Sequence, residues 1–168
     1  HDPRHQLQRQ DRTVRLEVKH DGIWTQVDET TVAAPDWAAL FRVENWEASR
    51  DQEFRVVHGD SAFYSGLIRE DPTEKEEIVV AAFTGNSNTD RGPRPDVIEN
   101  IKAIDPDLLF FSGDQVYDHH EHFAAWLLFG RQFGEITRNR PTVVIPDDHD
   151  VGVRNLWGAG GAIGPGGY

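Results

Sequence analysis

The chain has 168 residues, no cysteine and no methionine, and its 17 basic and 29 acidic residues give a formal net charge of -12. The lack of cysteine excludes disulfides and thiolate zinc sites. The negative charge disfavours a nucleic-acid partner, because phosphate backbones bind basic surfaces. No apolar run reaches the ~18 residues of a membrane span. A net negative charge does suit a protein that binds cations.

Both ends of the sequence indicate a piece of a longer protein. Residue 1 is histidine rather than methionine, and residues 158–168 read GAGGAIGPGGY, a glycine-rich stretch with no closing element. We therefore expect further sequence on both sides. Residues 1–12 are polar and aperiodic, and we expect them to be a frayed N-terminal segment.

Residues 13–70 have the pattern of an all-β domain. The alternation of Val14, Leu16 and Val18 with polar residues is typical of a half-buried strand, and Asp21-Gly22 is a hairpin signal. Short strands at roughly ten-residue spacing predict an antiparallel β-sandwich, with a structural role favoured over a catalytic one. The predicted strands are 13–20, 22–32, 39–46, 52–59 and 62–69.

Residues 71–77 are charged, contain a proline and predict a linker, after which the pattern changes. The apolar run 78–84 is typical of a strand buried on both faces. Two more such strands and two helices follow it, at 95–104 (helix), 107–112 (strand), 122–136 (helix) and 141–146 (strand). This β-α-β-α-β order predicts a mostly parallel, layered α/β domain over residues 78–168.

Each strand of this α/β pattern ends in side chains able to bind a metal. The three exits read TGNSNTD (84–90), SGDQVYD (112–118) and PDDHDVG (146–152). Ligands of open α/β sheets bind beyond the carboxyl ends of the strands. Carboxylate, amide, phenolate and imidazole groups suit hard or borderline cations. A shared cation site is therefore predicted, although any one exit alone reads equally well as a solvated loop.

The ordered pair SGDQVYD and PDDHDVG resembles the alkaline phosphatase D (PhoD-like) family of calcineurin-like metallophosphoesterases, over residues 78–160 and more weakly over 13–69. The resemblance implies an α/β layered metallophosphoesterase domain, incomplete here, preceded by an all-β fibronectin-like sandwich. It implies metal-dependent hydrolysis of phosphomonoesters or phosphodiesters, with a metal-bound hydroxide attacking phosphorus. It also implies an extracytoplasmic location, periplasmic or secreted.

The resemblance carries roles onto individual residues. Asp114 would bridge two metal ions, Tyr117 would bind one of them as a phenolate, and Asp148 would bind the other. His149 would stabilise the phosphoryl oxygens or protonate the leaving group. The implied cofactors are a ferric ion with calcium, manganese or zinc. Because the resemblance places further histidine ligands beyond Tyr168, we expect this chain alone to be weakly active or inactive.

The first block, GNSN, departs from the family pattern of an acidic residue or cysteine. Asn86 falls at the ligand position and Asn88 at a substrate-facing position. A neutral amide holds a cation less tightly than a carboxylate does, so an alternative stays open. The chain would then be a non-catalytic binding protein, a β-sandwich fused to a degenerate metallophosphoesterase fold. We expect the histidines at 119, 120 and 122 to line the pocket mouth rather than to bind metal.

Overall fold

The computed structural model describes residues 12–34, 37–86, 92–118 and 120–151. The chain divides into two compact units, His1–Asp71 and Pro72–Tyr168, which are described separately. Within the described ranges, no helix combines the length and the apolar character needed to cross a membrane.

The first unit contains a four-stranded antiparallel sheet with the strand order β2-β1-β3-β4. A two-residue turn joins β1 to β2, and both Asp21 and Gly22 adopt the positive φ that such a turn requires, 49° and 81°. Val14, Leu16 and Val18 are buried on one face, as their alternation predicts. The strands are β1 (Thr13–His20), β2 (Ile23–Thr31), β3 (Gln52–His58) and β4 (Ser61–Ile68).

The predicted sandwich is not found, because the described part of this unit forms one sheet and not two packed sheets. Nothing in it supports a fibronectin-like fold. The strand predicted at 39–46 is irregular. The backbone N–H of Arg42 donates to the Asp28 carboxylate (2.7 Å) rather than to a neighbouring strand. Trp37 and Asn45 have positive φ, 56° and 54°, which interrupts an extended backbone.

The described residues of the second unit form a three-stranded parallel sheet with the order β5-β6-β7 and three helices. This confirms the mixed α/β fold with a parallel sheet. Pro95 begins the first helix, where its missing N–H costs nothing. The elements are β5 (Val80–Phe83), α1 (Pro95–Ile104), β6 (Leu108–Phe111), α2 (His122–Thr137), β7 (Thr142–Val144) and α3 (Asp148–Val151).

The core of this unit lies between the sheet and helices α1 and α2. The rings of Phe83 and Phe111 stack with centroids 4.6 Å apart, and Phe133 meets Phe111 edge-on at 5.2 Å. Ile98 and Ile101 of α1 belong to the same buried cluster. Each such side chain contributes about 1.5–3 kcal/mol by leaving water, so this face fixes the sheet against the helices.

Burial on both faces, predicted for the strands of this unit, is wrong for β5 and β7. Val80 is 49% exposed and Val143 is 42% exposed. Both helices pack on the sheet face that carries Leu109 and Phe111. Among the described residues, no element covers the opposite face of the sheet. A continuous apolar run in the sequence therefore did not predict how many faces of a strand are buried.

The carboxyl ends of the three parallel strands lie side by side. The backbone N–H of Gly85, after β5, donates to the carbonyl of Gly113, after β6, at 3.2 Å. The N–H of Ile145, after β7, donates to the carbonyl of Phe111 at 3.0 Å. The loops that leave these strands therefore begin at one edge of the sheet, where the polar sequence blocks stand.

Candidate metal centre

The carboxylate of Asp150 joins the loops after β6 and β7. It accepts the backbone N–H groups of Asp114 at 2.8 Å, Val116 at 3.1 Å and Asp147 at 3.0 Å. Asp150 is only 4% exposed, so these donors replace the water that a charged group would otherwise need. The side chain fixes the backbone of both loops.

A glycine is required where these two loops approach each other. Gly113 has φ of 117°, and a Cβ on it would lie 2.4 Å from the Cβ of Asp147. The next residue, Asp114, also has positive φ, 57°, which is unusual for a residue with a side chain. This turn directs the backbone toward the loop after β7.

Three side chains converge at this edge of the sheet. Asp114, Asp148 and His149 each offer one ligand atom, and these atoms all lie within 4.8 Å of one another. The Oδ1 atom of Asp114 is buried and has no hydrogen-bond partner. Metal–oxygen bonds of hard cations are ~2.0–2.6 Å, so one ion can reach all three groups after small rotations. The orphaned oxygen and the oxygen-nitrogen donor set fit a divalent or trivalent cation.

Tyr117 is directly coupled to this cluster. Its hydroxyl donates to Oδ2 of Asp114 at 2.9 Å, and its ring centroid lies 4.6 Å from that of His149. Burial, followed by the hydrogen bond to Asp114 and the charges of Asp114, Asp148 and Asp150, raises the pKa of Tyr117 to about 12. Without a cation the phenol therefore keeps its proton, and a bound cation would have to displace it.

Asn86 lies beside Asp114. Its backbone N–H donates to the carbonyl of Asp114 at 2.7 Å. Its side-chain nitrogen donates to the carbonyl of Gln115 and to Oε1 of Gln132, both at 3.3 Å. The structure thus brings Asn86 and Tyr117 to Asp114 from two strand exits. Asn88 lies outside the described residues.

The histidine-rich segment after Tyr117 is occupied by local contacts where it is described. Oδ1 of Asp118 accepts the N–H groups of His120 and Glu121, each at 3.2 Å, and so closes a turn before α2. Nε2 of His122 accepts from the indole N–H of Trp126 at 3.0 Å. Neither His120 nor His122 belongs to the cluster around Asp114. His119 lies outside the described residues.

Sequence reasoning missed one residue at this site. Gln132 is 6% exposed on α2, and its side chain bridges Asn86 and the carbonyl of Gly92. The one indication in the sequence was a polar residue within the apolar stripe Phe129–Phe133, which does not by itself predict such a role.

A cavity of about 240 Å³ opens next to Asn86 and Gln115. Its lining is mixed and includes three phenylalanines and one cationic side chain, Arg94. The lining includes Phe83, Phe111 and Phe133. A small apolar or aromatic group could enter this cavity beside the strand exits.

No family model matches the chain, and no curated protein matches it either. Among solved structures, the chain is similar to a purple acid phosphatase from seeds of yellow lupin (Lupinus luteus), with a TM-score of 0.57 and 18% identity. The match covers 94% of this chain and 34% of that chain, so this chain spans about a third of its neighbour. The likeness shows that this chain and that part of its neighbour share a fold.

Proposed function

We propose that the chain is the metal-binding part of a phosphoester hydrolase of the alkaline phosphatase D type, acting on phosphomonoesters or phosphodiesters. The convergence of Asp114, Asp148 and His149, with a buried, unpartnered oxygen on Asp114, carries the proposal. The position of this cluster at the carboxyl ends of parallel strands supports it. The fold likeness to a phosphatase supports it further.

The proposed centre would hold two cations, a ferric ion with calcium, manganese or zinc. Asp114, Tyr117, Asp148 and Asn86 would be their ligands, with Asp114 shared between the two. Bound metal ions would supply the Lewis-acid charge that polarises a phosphoryl group. A phosphoester suits such a centre better than an amide does, because it presents several oxygens at once.

The side chains have complementary tasks in this proposal. Tyr117 gives up the proton that its hydroxyl now shares with Oδ2 of Asp114. His149 is assigned to hold a proton for the departing oxygen, and its Nε2 lies 4.0 Å from Oδ2 of Asp148. Asn88 is assigned to the substrate. The extracytoplasmic location stays a prediction.

His149 has a second possible task, because its ring nitrogen is also within reach of a cation held by Asp114. The two tasks differ in their consequences for a His149→Ala variant. Loss of a ligand weakens metal binding. Loss of a proton donor leaves metal binding intact and slows hydrolysis most for esters whose leaving group is a poor one.

Hydrolysis of chromogenic aryl phosphomonoesters and phosphodiesters tests the proposal. We expect slow hydrolysis that requires added manganese, calcium or iron and disappears in Asp114→Asn. Hydrolysis that survives chelation of metal, or that survives in Asp114→Asn, would contradict it.

A non-catalytic binding protein with a degenerate metallophosphoesterase fold is the second candidate function. The amide at Asn86 favours it, because a neutral ligand leaves the centre with a lower affinity than a carboxylate would. Because the chain alone is expected to be weakly active or inactive in either case, metal binding separates the two candidates. A chain that binds no Mn²⁺ at Asp114 would support this candidate over the first.

A further inference from the structure

Two side-chain amides are hydrogen-bonded to each other beside the proposed metal centre. Nδ2 of Asn86, after β5, donates to Oε1 of Gln132, on α2, at 3.3 Å. The same nitrogen donates to the backbone carbonyl of Gln115, also at 3.3 Å. Gln132 is 6% exposed, so this contact is shielded from water.

The orientation of both amides follows from their backbone partners. An amide's oxygen and nitrogen have similar shapes, so its orientation has to be inferred from what it contacts. A backbone carbonyl only accepts, and therefore the carbonyl of Gln115 must face the nitrogen of Asn86. The carbonyl of Gly92 likewise must face Nε2 of Gln132, which lies 2.8 Å away. Oε1 of Gln132 is thereby turned toward Asn86.

Both hydrogens of the Asn86 amide are used by these two acceptors, and its Oδ1 takes part in neither bond. The amide oxygen is the atom that a hard cation binds. The backbone N–H of Asn86 donates to the carbonyl of Asp114, so the main chain at residue 86 lies next to a proposed ligand. An Asn86 amide rotated by half a turn would offer its nitrogen instead, which cannot bind a cation.

We propose that Gln132 is a positioning residue, which holds the Asn86 amide so that its oxygen is presented to the metal centre. This inference rests on the proposed function. It also gives a reason for the amide in the GNSN block. A carboxylate at position 86 would place its second oxygen against two acceptors, the carbonyl of Gln115 and Oε1 of Gln132, with no hydrogen between them.

Three single substitutions in the 168-residue chain test the inference. Gln132→Met keeps the length of the side chain and removes both its donor and its acceptor. Gln132→Glu restores an acceptor for Asn86 without the donor to Gly92. Gln52→Met is the matched control, because Gln52 is a similarly buried glutamine, 7% exposed, in the other unit, where it donates to the carbonyl of Glu47.

Two readouts are independent of turnover. The first is solvent exchange of the Asn86 side-chain NH₂ protons, followed by NMR in the metal-free chain. The second is the affinity for Mn²⁺, measured by calorimetry. Gln132→Met should speed the exchange and weaken Mn²⁺ binding about tenfold or more, as loss of a group that orients a ligand typically does. Gln132→Glu should recover slow exchange and part of the affinity, and Gln52→Met should change neither.

The outcomes separate the inference from the function on which it rests. Unchanged NH₂ exchange in Gln132→Met overturns the inference, whatever happens to metal binding. Faster exchange with unchanged Mn²⁺ affinity also overturns it and leaves the metal centre standing. If the unsubstituted chain binds no Mn²⁺, the proposed metal centre itself fails, and the role assigned to Gln132 fails with it.

Discussion

The backbone N–H of Asp114 donates a 2.8 Å hydrogen bond to the carboxylate of Asp150, 36 residues further along the chain. Asp150 is outside the group of side chains that can share a cation, yet it also accepts the N–H groups of Val116 and Asp147. The loops that carry the proposed ligands Asp114 and Asp148 are therefore tied together by a buried carboxylate that lies outside the ligand cluster.

Asp150→Asn should lower the free energy of unfolding by about 3 kcal/mol. Three donors now point at the two carboxylate oxygens, whereas an amide has one oxygen and would set its NH₂ group against a donor. Hydrogen bonds to charged groups are worth about 1.5–3 kcal/mol each, and a mismatched buried donor costs a similar amount. Urea unfolding followed by circular dichroism measures the change.

Asp96→Asn is the control for Asp150→Asn. Asp96 is exposed in the first turn of α1 in the same unit, so the substitution removes the same charge from a solvated position. It should cost only a few tenths of a kcal/mol, through the helix dipole. Equal losses in the two variants would show that charge, and not the three hydrogen bonds, sets the effect.

Gly113→Ala should be strongly destabilising and Gly130→Ala should be mildly stabilising. An alanine at 113 combines φ of 117° with a Cβ that would lie 2.4 Å from that of Asp147, and we expect a loss of about 3 kcal/mol. A Cβ at Gly130, within α2, meets nothing within 4 Å. Alanine in a helix interior gains about 0.5–1 kcal/mol over glycine. Thermal melts of the pair compare a constrained glycine with an unconstrained one.

The secondary structure of both units was largely predictable from sequence. The alternation of Val14, Leu16 and Val18 and the Asp21-Gly22 turn are local signals, and β1 and its hairpin follow them. The helix that begins at Pro95 is also predicted by local signals in the sequence. The irregular segment at 39–46 was not predictable, because it depends on the Asp28 carboxylate binding a backbone N–H 14 residues away.

The residue types of the site and their convergence at one edge of the sheet were predictable from sequence. Parallel strands with polar exits bring Asp114 and Asp148 to one edge, which follows from topology. The hydrogen-bond partners around Asp114 and Asp148 do not follow from the topology. The hydrogen bonds of Asp150 and the amide pair of Asn86 and Gln132 depend on the register and packing of elements distant in sequence. None of these three residues could be assigned its contacts from the sequence around it.

Tyr117 should ionise later than an ordinary tyrosine in the metal-free chain. Its pKa is raised from 10.0 to about 12, chiefly by burial and by its hydrogen bond to Asp114. A raised pKa means that the folded state holds the proton more tightly than the unfolded state. The stabilisation is therefore complete below pH 10 and is lost as the pH rises toward about 12.

Ultraviolet absorbance of the phenolate measures this titration. The Tyr117→Phe variant should lack a tyrosine that titrates near pH 12. Its free energy of unfolding should also fall less steeply above pH 10, the ordinary pKa, than that of the unsubstituted chain. An unchanged high-pH limb in Tyr117→Phe would mean that Tyr117 is not the tyrosine with the raised pKa.

Asn86→Asp should have opposite effects without and with metal. In the metal-free chain the new carboxylate would face the carbonyl of Gln115 and Oε1 of Gln132, at a cost of about 1–3 kcal/mol. With Mn²⁺ present the carboxylate is the stronger ligand, so the metal-induced rise in melting temperature should exceed that of the unsubstituted chain.

Asn139→Asp is the control for Asn86→Asp, because it introduces the same charge at the end of α2, where the Asn139 side chain donates to the carbonyl of Glu135. It should leave the metal-induced shift unchanged. If both variants respond to Mn²⁺ alike, the effect is one of overall charge and Asn86 is not a ligand.

Anomalous X-ray scattering from crystals of the chain soaked in Mn²⁺ tests the metal centre most directly, because it locates the ion. The ligand atoms of Asp114, Asp148 and His149 lie within 4.8 Å of one another, so the account predicts a manganese peak among them, bonded to Oδ1 of Asp114 at ~2.0–2.6 Å. The peak should vanish in Asp114→Asn crystals. A peak elsewhere on the chain, or none, would contradict the assignment of this edge of the sheet as a metal centre.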